Sequence, residues 1–217
     1  PSEIEMGLDR VLTVYSKFRR DQLAGKVVIV AGTNGKGSTV AVLERLLLDA
    51  GKSVGVYSSP HISRYNERIR INGKPVSKKY VVEFITGHKS FLETNSLSFF
   101  EMTVGMAFDY FSKEKIDIAI IEVGLGGRLD STNIITPEVS LITNIGNDHA
   151  DMLGDSLPKI AFEKAGIIKK GVSVVVSEYQ PKVASVFKEV SKSRIANLVF
   201  ASRQDYPIYK TDLLGSY

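Results

Sequence analysis

The chain reads as an α/β protein: a doubly wound, mostly parallel sheet carrying a phosphate-binding loop. Three observations predict this. Short apolar runs at 27–30, 116–123, 139–144 and 172–176 are near-continuous rather than alternating, as in strands buried on both faces. Helical patterns separate most of them, and strand–helix alternation argues for parallel units with right-handed crossovers. The first run leads directly into Gly32-Thr33-Asn34-Gly35-Lys36-Gly37-Ser38-Thr39, a glycine-rich turn that opens a helical pattern.

In chain order, Ile4, Leu8, Val11, Leu12 and Tyr15 recur at helical spacing and predict a first amphipathic helix. The strand at 27–30 follows, then a helix at 38–50 closed by Gly51. A short strand at 53–57 breaks at Ser58-Ser59-Pro60-His61, and the alternating segment 69–76 turns at Asn72-Gly73 as a hairpin. Helices are predicted at 79–93 and 98–112, and then the strands at 116–123 and 139–144. A helix at 157–165, a strand at 172–176, a helix at 181–192 and a last strand at 198–201 complete the pattern. In doubly wound sheets ligands sit at the carboxyl ends of the strands. Four strands end there in polar clusters, at Gly32–Thr39, at Ser58–His61, at Glu122–Arg128 and at Asn144–His149.

The composition sets bounds. With 217 residues, 43% hydrophobic and 24% charged, the chain fits an ordinary globular domain with one good core. No apolar stretch is long enough to span a bilayer and no signal peptide precedes the first helix, so the expectation is a cytoplasmic protein without a membrane partner. The absence of cysteine excludes disulfides and thiolate chemistry. The net charge of +4 suits anionic small molecules, while the scattered basic residues argue against a nucleic-acid surface.

The turn at Gly32–Thr39 has the chemistry of a phosphate cradle. Its glycines let backbone N–H groups face inward, a helix N-terminus follows, and Lys36 adds a full charge. A hydroxyl from Ser38 or Thr39 is placed to approach phosphate-bound Mg²⁺. The usual P-loop spacing is not met: its first glycine falls on Val30, and Gly37 separates the lysine from the hydroxyl. Glu122 closes an apolar strand, where nucleotide-hydrolysing folds place a metal-binding carboxylate. His61 and His149 lie at strand ends, and Ser59, Glu122 and His149 together form a donor set suited to Mg²⁺ or Mn²⁺ rather than to a closed zinc site. By its residues alone Lys164 reads either as a surface lysine at a helix end or as a site residue. Asp130 with Arg128 reads either as a surface ion pair or as part of a binding loop.

These segments resemble the Mur ligase superfamily in its folylpolyglutamate synthase branch. The resemblance rests on Gly32 to Ser38, Ser58 to His61, Phe100-Glu101, Glu122 to Asn133, Asn144 to His149 and Glu163 to Ile167, which occur in that family's order, with Gly7 to Val11 ahead of them. It implies a fold of the Mur ligase central-domain type, with residues 1–217 forming the ATP-binding domain of a ligase. The resemblance also implies a second, glutamate-ligase domain, expected to lie outside this chain. Thr33, Asn34, Gly35, Lys36, Gly37, Ser38 and Thr39 would bind ATP, while Ser59, Glu122 and His149 would hold Mg²⁺. Lys36, Lys164 and His149 would serve catalysis, with Lys164 carboxylated on its side-chain nitrogen to bridge a second metal. Phe100, Glu101, Leu129, Asp130 and Ser131 would contact the substrate, along with the segment from Gly7 to Arg10. The implied reaction joins L-glutamate to a folate or to dihydropteroate at the expense of ATP, in an enzyme that is monomeric at full length. Two other readings remain open: a nucleotide-binding regulatory module without ligase chemistry, and a Mur-type ligase acting on a cell-wall precursor.

Overall fold

The structure, a computed structural model, describes residues 8–17, 23, 26–205, 210, 211, 215 and 216. Helix α1 (Asp9–Lys17) matches the first predicted helix from Asp9 onward, while Ile4 and Gly7 lie outside the described residues. Then come β1 (Val27–Ala31), α2 (Lys36–Asp49) and β2 (Val54–Tyr57). The hairpin is β3 (Ile69–Ile71) with β4 (Lys74–Pro75), preceded by a 3₁₀ turn at Tyr65–Arg68. Helices α3 (Lys78–Thr94) and α4 (Phe99–Lys113) lead to β5 (Ile118–Glu122) and β6 (Val139–Ile142). The rest is α5 (Ala150–Leu153), α6 (Leu157–Ala165), β7 (Ser173–Val176), α7 (Ala184–Ser193) and β8 (Leu198–Phe200), followed by a small ladder of β9 (Lys210–Thr211) and β10 (Gly215–Ser216).

The main sheet has the order β4-β3-β2-β5-β1-β6-β7-β8. Every pairing from β2 to β8 is parallel, and only β3 and β4 run against their neighbours. β1 lies between β5 and β6, so its carboxyl end sits mid-sheet. All five of its residues are buried, which explains the unbroken apolar run.

Alternate residues of β1 sort the core into layers. Val28 and Val30 face α2, packing with Val40, Val54, Val56 and Ile120. Val27 faces the opposite layer with Phe84, Phe108 and Phe111 of α3 and α4, while Ile29 and Ala31 pack with Ile160, Ala161 and Phe187 of α6 and α7. Helix starts follow capping chemistry. The Ser77 hydroxyl accepts from the Tyr80 N–H, and Ser98 with Glu101 forms a reciprocal capping box at α4.

The predicted boundaries shift in two informative places. α2 begins at Lys36 rather than Ser38, because Gly35 caps it in a left-handed conformation at φ 82°. β6 ends at Ile142 rather than at 144, and the Thr143 and Asn144 side chains beyond it meet the neighbouring loop.

Candidate functional site: a phosphate loop with a buried lysine

The loop from Gly32 to Gly35 leaves β1 at mid-sheet and is sewn to the end of β6. The Thr143 hydroxyl donates to the Asn34 carbonyl at 2.6 Å. The Asn34 N–H donates to Asn144 Oδ1 at 3.0 Å, and the Thr33 N–H to the Asn144 carbonyl at 2.9 Å. Gly146 N–H in turn donates to Thr33 Oγ1 at 2.9 Å. Gly32 has φ 145°, and a Cβ added there would lie 1.8 Å from Thr143 Oγ1, so glycine is required both by conformation and by contact. These hydrogen bonds tie the loop to the end of β6. Asn144 belongs to the polar cluster expected at this strand end, whereas Thr143, which carries part of the same work, was not singled out, although a polar residue closing an apolar strand is the signal for it.

Two lysines meet at one carbonyl. Lys36 Nζ donates to the Gly32 oxygen at 3.0 Å and approaches the Thr33 oxygen at 3.4 Å. Lys164 Nζ, from α6, donates to the same Gly32 oxygen at 3.1 Å. Lys164 is 4% exposed, which rules out its reading as a surface lysine. Burial, and then the nearby charge of Lys36, lower its pKa to about 8, while Asp148 and Asp130 pull the other way. α6 reaches the site because Gly127 and Gly166 have no side chains. A Cβ on Gly127 would come within 2.9 Å of the Glu163 and Lys164 carbonyl oxygens, and one on Gly166 within 2.4 Å of Arg128 Cα.

Glu122 ends β5 beside this loop and is buried. Its carboxylate accepts a weak bond from the Ser59 N–H at 3.4 Å, just ahead of a cis Ser59–Pro60 peptide bond. Burial raises its pKa, while the charges of Lys36 and Arg70 and the Ser59 N–H favour its ionised form. A desolvated carboxylate with one long hydrogen bond, from the backbone of a serine, offers hard oxygen of the kind suited to Mg²⁺. His149 sits apart from that description: its side chain is 54% exposed and lies 3.7 Å from Asp148. Its φ of 50° marks the turn into α5. Among the described residues no cluster of three or more acidic, imidazole or thiol groups is arranged for a metal.

The predicted substrate residues separate into two kinds. Phe100 and Asp130 flank Gly124, where an added Cβ would meet Phe100 Cζ at 2.5 Å and Asp130 Oδ2 at 3.3 Å. Asp130 is buried rather than part of a surface pair: Leu125 N–H and the Thr132 N–H and hydroxyl donate to it, and burial raises its pKa. Arg128 pairs instead with Glu163 at 2.9 Å. That corrects the surface-pair option, because the loop folds Asp130 inward as its own staple. Glu101 is buried too, capping Ser98 at 2.7 Å and taking a 3.3 Å contact from Arg10. Leu129 and Ser131 are half-buried on either side of Asp130.

Comparison with known proteins is consistent with this geometry. Residues 30–213 match the Mur ligase middle domain. A dihydrofolate synthase/folylpolyglutamate synthase from Haemophilus influenzae is 46% identical over 178 residues, 81% of this chain and 40% of that protein. The Escherichia coli enzyme of the same name is 40% identical over 195 residues, covering 90% of this chain and 46% of its own length. Among solved structures, an FPGS–AMPPCP complex superposes with a TM-score of 0.88 at 36% identity, over 96% of this chain and 53% of that one. E. coli FolC in complex with DHPP and ADP gives 0.88 at 36% identity, over 99% of this chain and 53% of that one. The chain thus spans about half the length of the relatives it matches. From its sheet order, its phosphate loop and this match, the chain belongs to the Mur ligase family and carries that family's middle domain.

Proposed function

We propose that this chain is the nucleotide-binding part of an ATP-dependent ligase that joins L-glutamate to a folate or to dihydropteroate. The observation that carries the reading is the convergence of Lys36 and Lys164 on the Gly32 carbonyl, beside the buried Glu122. It has the positive charge and the carboxylate that a triphosphate and its metal require. The relatives named above act on folates, and E. coli FolC was solved with DHPP and ADP.

A carboxylate does not condense with an amine at neutral pH, because oxide is its leaving group. In the proposed reaction the acceptor carboxylate attacks the ATP γ-phosphorus and releases ADP. The amine of glutamate then attacks the acyl phosphate carbonyl and expels inorganic phosphate. Lys36 and the N–H groups opening α2 stabilise charge on the transferring phosphoryl group. Ser59 and Glu122, with His149 completing the set, would hold Mg²⁺, which neutralises phosphate charge. Phe100 and Asp130, with Glu101, Leu129 and Ser131 around them, form the acceptor side.

Lys164 as an ammonium would add a cation beside Lys36. As a neutral amine it adds to CO₂ and loses a proton, giving a carbamate that turns the cation into an anionic ligand. Its pKa, lowered to about 8, raises the fraction of the neutral form that this reaction needs. We place the enzyme in the cytoplasm as a monomer, acting on small molecules; no helix among the described residues is long and apolar enough to cross a membrane.

The test is ADP release by the full-length protein with L-glutamate and, in turn, dihydropteroate, tetrahydrofolate and a muramyl peptide. Release is expected with a pteridine acceptor. Stimulation by the muramyl peptide alone would transfer the enzyme to cell-wall synthesis, and a lack of response to every acceptor would favour a regulatory nucleotide module.

A further inference from the structure

Arg70 of the hairpin, whose charge acts on Glu122, also joins three parts of the molecule through its guanidinium. It projects from β3, where Arg70 pairs with Val56 on the face that α2 covers. Nη2 contacts Glu44 Oε2 at 3.0 Å; Glu44, on α2, is a carboxylate within an otherwise apolar helix face. Nη1 donates to Ser58 Oγ at 3.1 Å and to the Glu67 carbonyl at 3.0 Å. The second oxygen of Glu44 accepts from the Gly73 N–H at 3.2 Å, which fixes that carboxylate from the hairpin side. The ion pair is largely withdrawn from solvent, with side-chain exposures of 22% and 11%.

The segment between these anchors is a block in itself. The Ile62, Ser63 and Arg64 N–H groups all donate to the Glu67 carboxylate, at 3.1, 3.2 and 2.9 Å. The Ser58 N–H closes the base on the Arg68 carbonyl at 2.9 Å. Asn66 Nδ2 donates to the Val76 carbonyl at 3.1 Å, and Tyr65 Oη donates to Thr103 Oγ1 at 3.2 Å. A block of this kind moves as a unit, so its placement depends on what ties it to its surroundings. Arg70 ties its base to α2, the helix that begins at Lys36. Ser58 is the residue next to Ser59. One planar fork with several fixed N–H directions therefore sets the offset between Ser59 and the phosphate loop, which a flexible point charge would not do.

We propose that Arg70 is a positioning residue, which through Glu44 and Ser58 holds Ser59 in register with the phosphate loop so that metal and nucleotide bind as a pair. The metal half of this rests on the nucleotide reading given above. The mechanical half, that Arg70 anchors the 58–68 block to α2, does not.

The test uses the full-length protein and the variants Arg70→Met, Arg70→Lys and Ser58→Ala. Hydrogen exchange is measured first, without metal or nucleotide. Arg70→Met is expected to speed exchange at residues 58–68 at least about fivefold, the equivalent of one lost hydrogen bond, while residues 36–49 keep their protection. Mn²⁺ is then titrated by electron paramagnetic resonance with ADP present, and ADP affinity is measured separately in EDTA. Arg70→Met should weaken Mn²⁺ binding by about fivefold or more and leave metal-free ADP affinity within about twofold, since only the metal half of the pair loses its register. Arg70→Lys and Ser58→Ala should fall between wild type and Arg70→Met in both measurements. Unchanged exchange at 58–68, or equal losses of Mn²⁺ and metal-free ADP binding, would overturn the proposal. If the wild type itself fails to bind ADP, the nucleotide reading fails, and the exchange measurement still decides whether Arg70 is the anchor.

Discussion

Lys164 shows how far a residue's surroundings rewrite its chemistry. Its folded-state pKa of about 8 lies below the ordinary lysine value of 10.5, with burial as the main cause. Between those two values the unfolded chain holds a proton that the folded chain has released, so for this group stability rises with pH across that window and is flat on either side. Comparing wild type with Lys164→Met in denaturant melts at about pH 8 and pH 10 should show the difference moving in favour of wild type by roughly 1 kcal/mol per pH unit. A constant difference would mean that Lys164 is ordinarily solvated. In the proposed site Lys36 would face the phosphates, and Lys36→Ala should lower ATP turnover in the full-length protein by at least about 100-fold, as losing a donor to a developing charge does. Thr143→Val removes the hydroxyl that holds the Asn34 carbonyl. It should weaken nucleotide binding by about tenfold, with Thr143→Ser retaining most of the affinity, as measured by calorimetry.

At the scale of elements, the contact between α6 and the glycine-rich loop after β5 decides whether Lys164 reaches the site. A methyl group at Gly166 would lie 2.4 Å from Arg128 Cα, a backbone neighbour that cannot swing away. Gly166→Ala should therefore cost about 1–3 kcal/mol in unfolding free energy and reduce turnover as α6 is pushed outward. Full stability in that variant would mean that the loop yields easily. This contact also marks the limit of what the sequence discloses. The strands were legible because burial on both faces leaves continuous apolar runs, and the polar clusters at their ends were legible because a sheet has one carboxyl edge. α5 was not, since four residues make too short a pattern to show a period. The burial of Lys164 and Asp130 was also hidden, because it depends on how two distant segments dock rather than on local spacing. Arg70 and Glu44 were missed for the same reason: a basic residue in a hairpin and an acid in a helix look solvated until β3 and α2 are seen packed together.

For the whole molecule, the sheet order gathers three devices at its carboxyl edge: a glycine-rich loop pinned to β6, a buried carboxylate with a serine beside it, and a lysine brought in from α6. Each occurs elsewhere for other purposes, and their conjunction supports the proposed acyl-phosphate chemistry. The most direct test follows the oxygen atoms. The full-length protein is supplied with ATP, L-glutamate and a pteridine acceptor whose reacting carboxylate carries oxygen-18, and the released inorganic phosphate is analysed by mass spectrometry. The account predicts one labelled oxygen in the phosphate for each amide bond formed, because the acceptor oxygen leaves with the phosphoryl group. Unlabelled phosphate accompanying amide formation would contradict it.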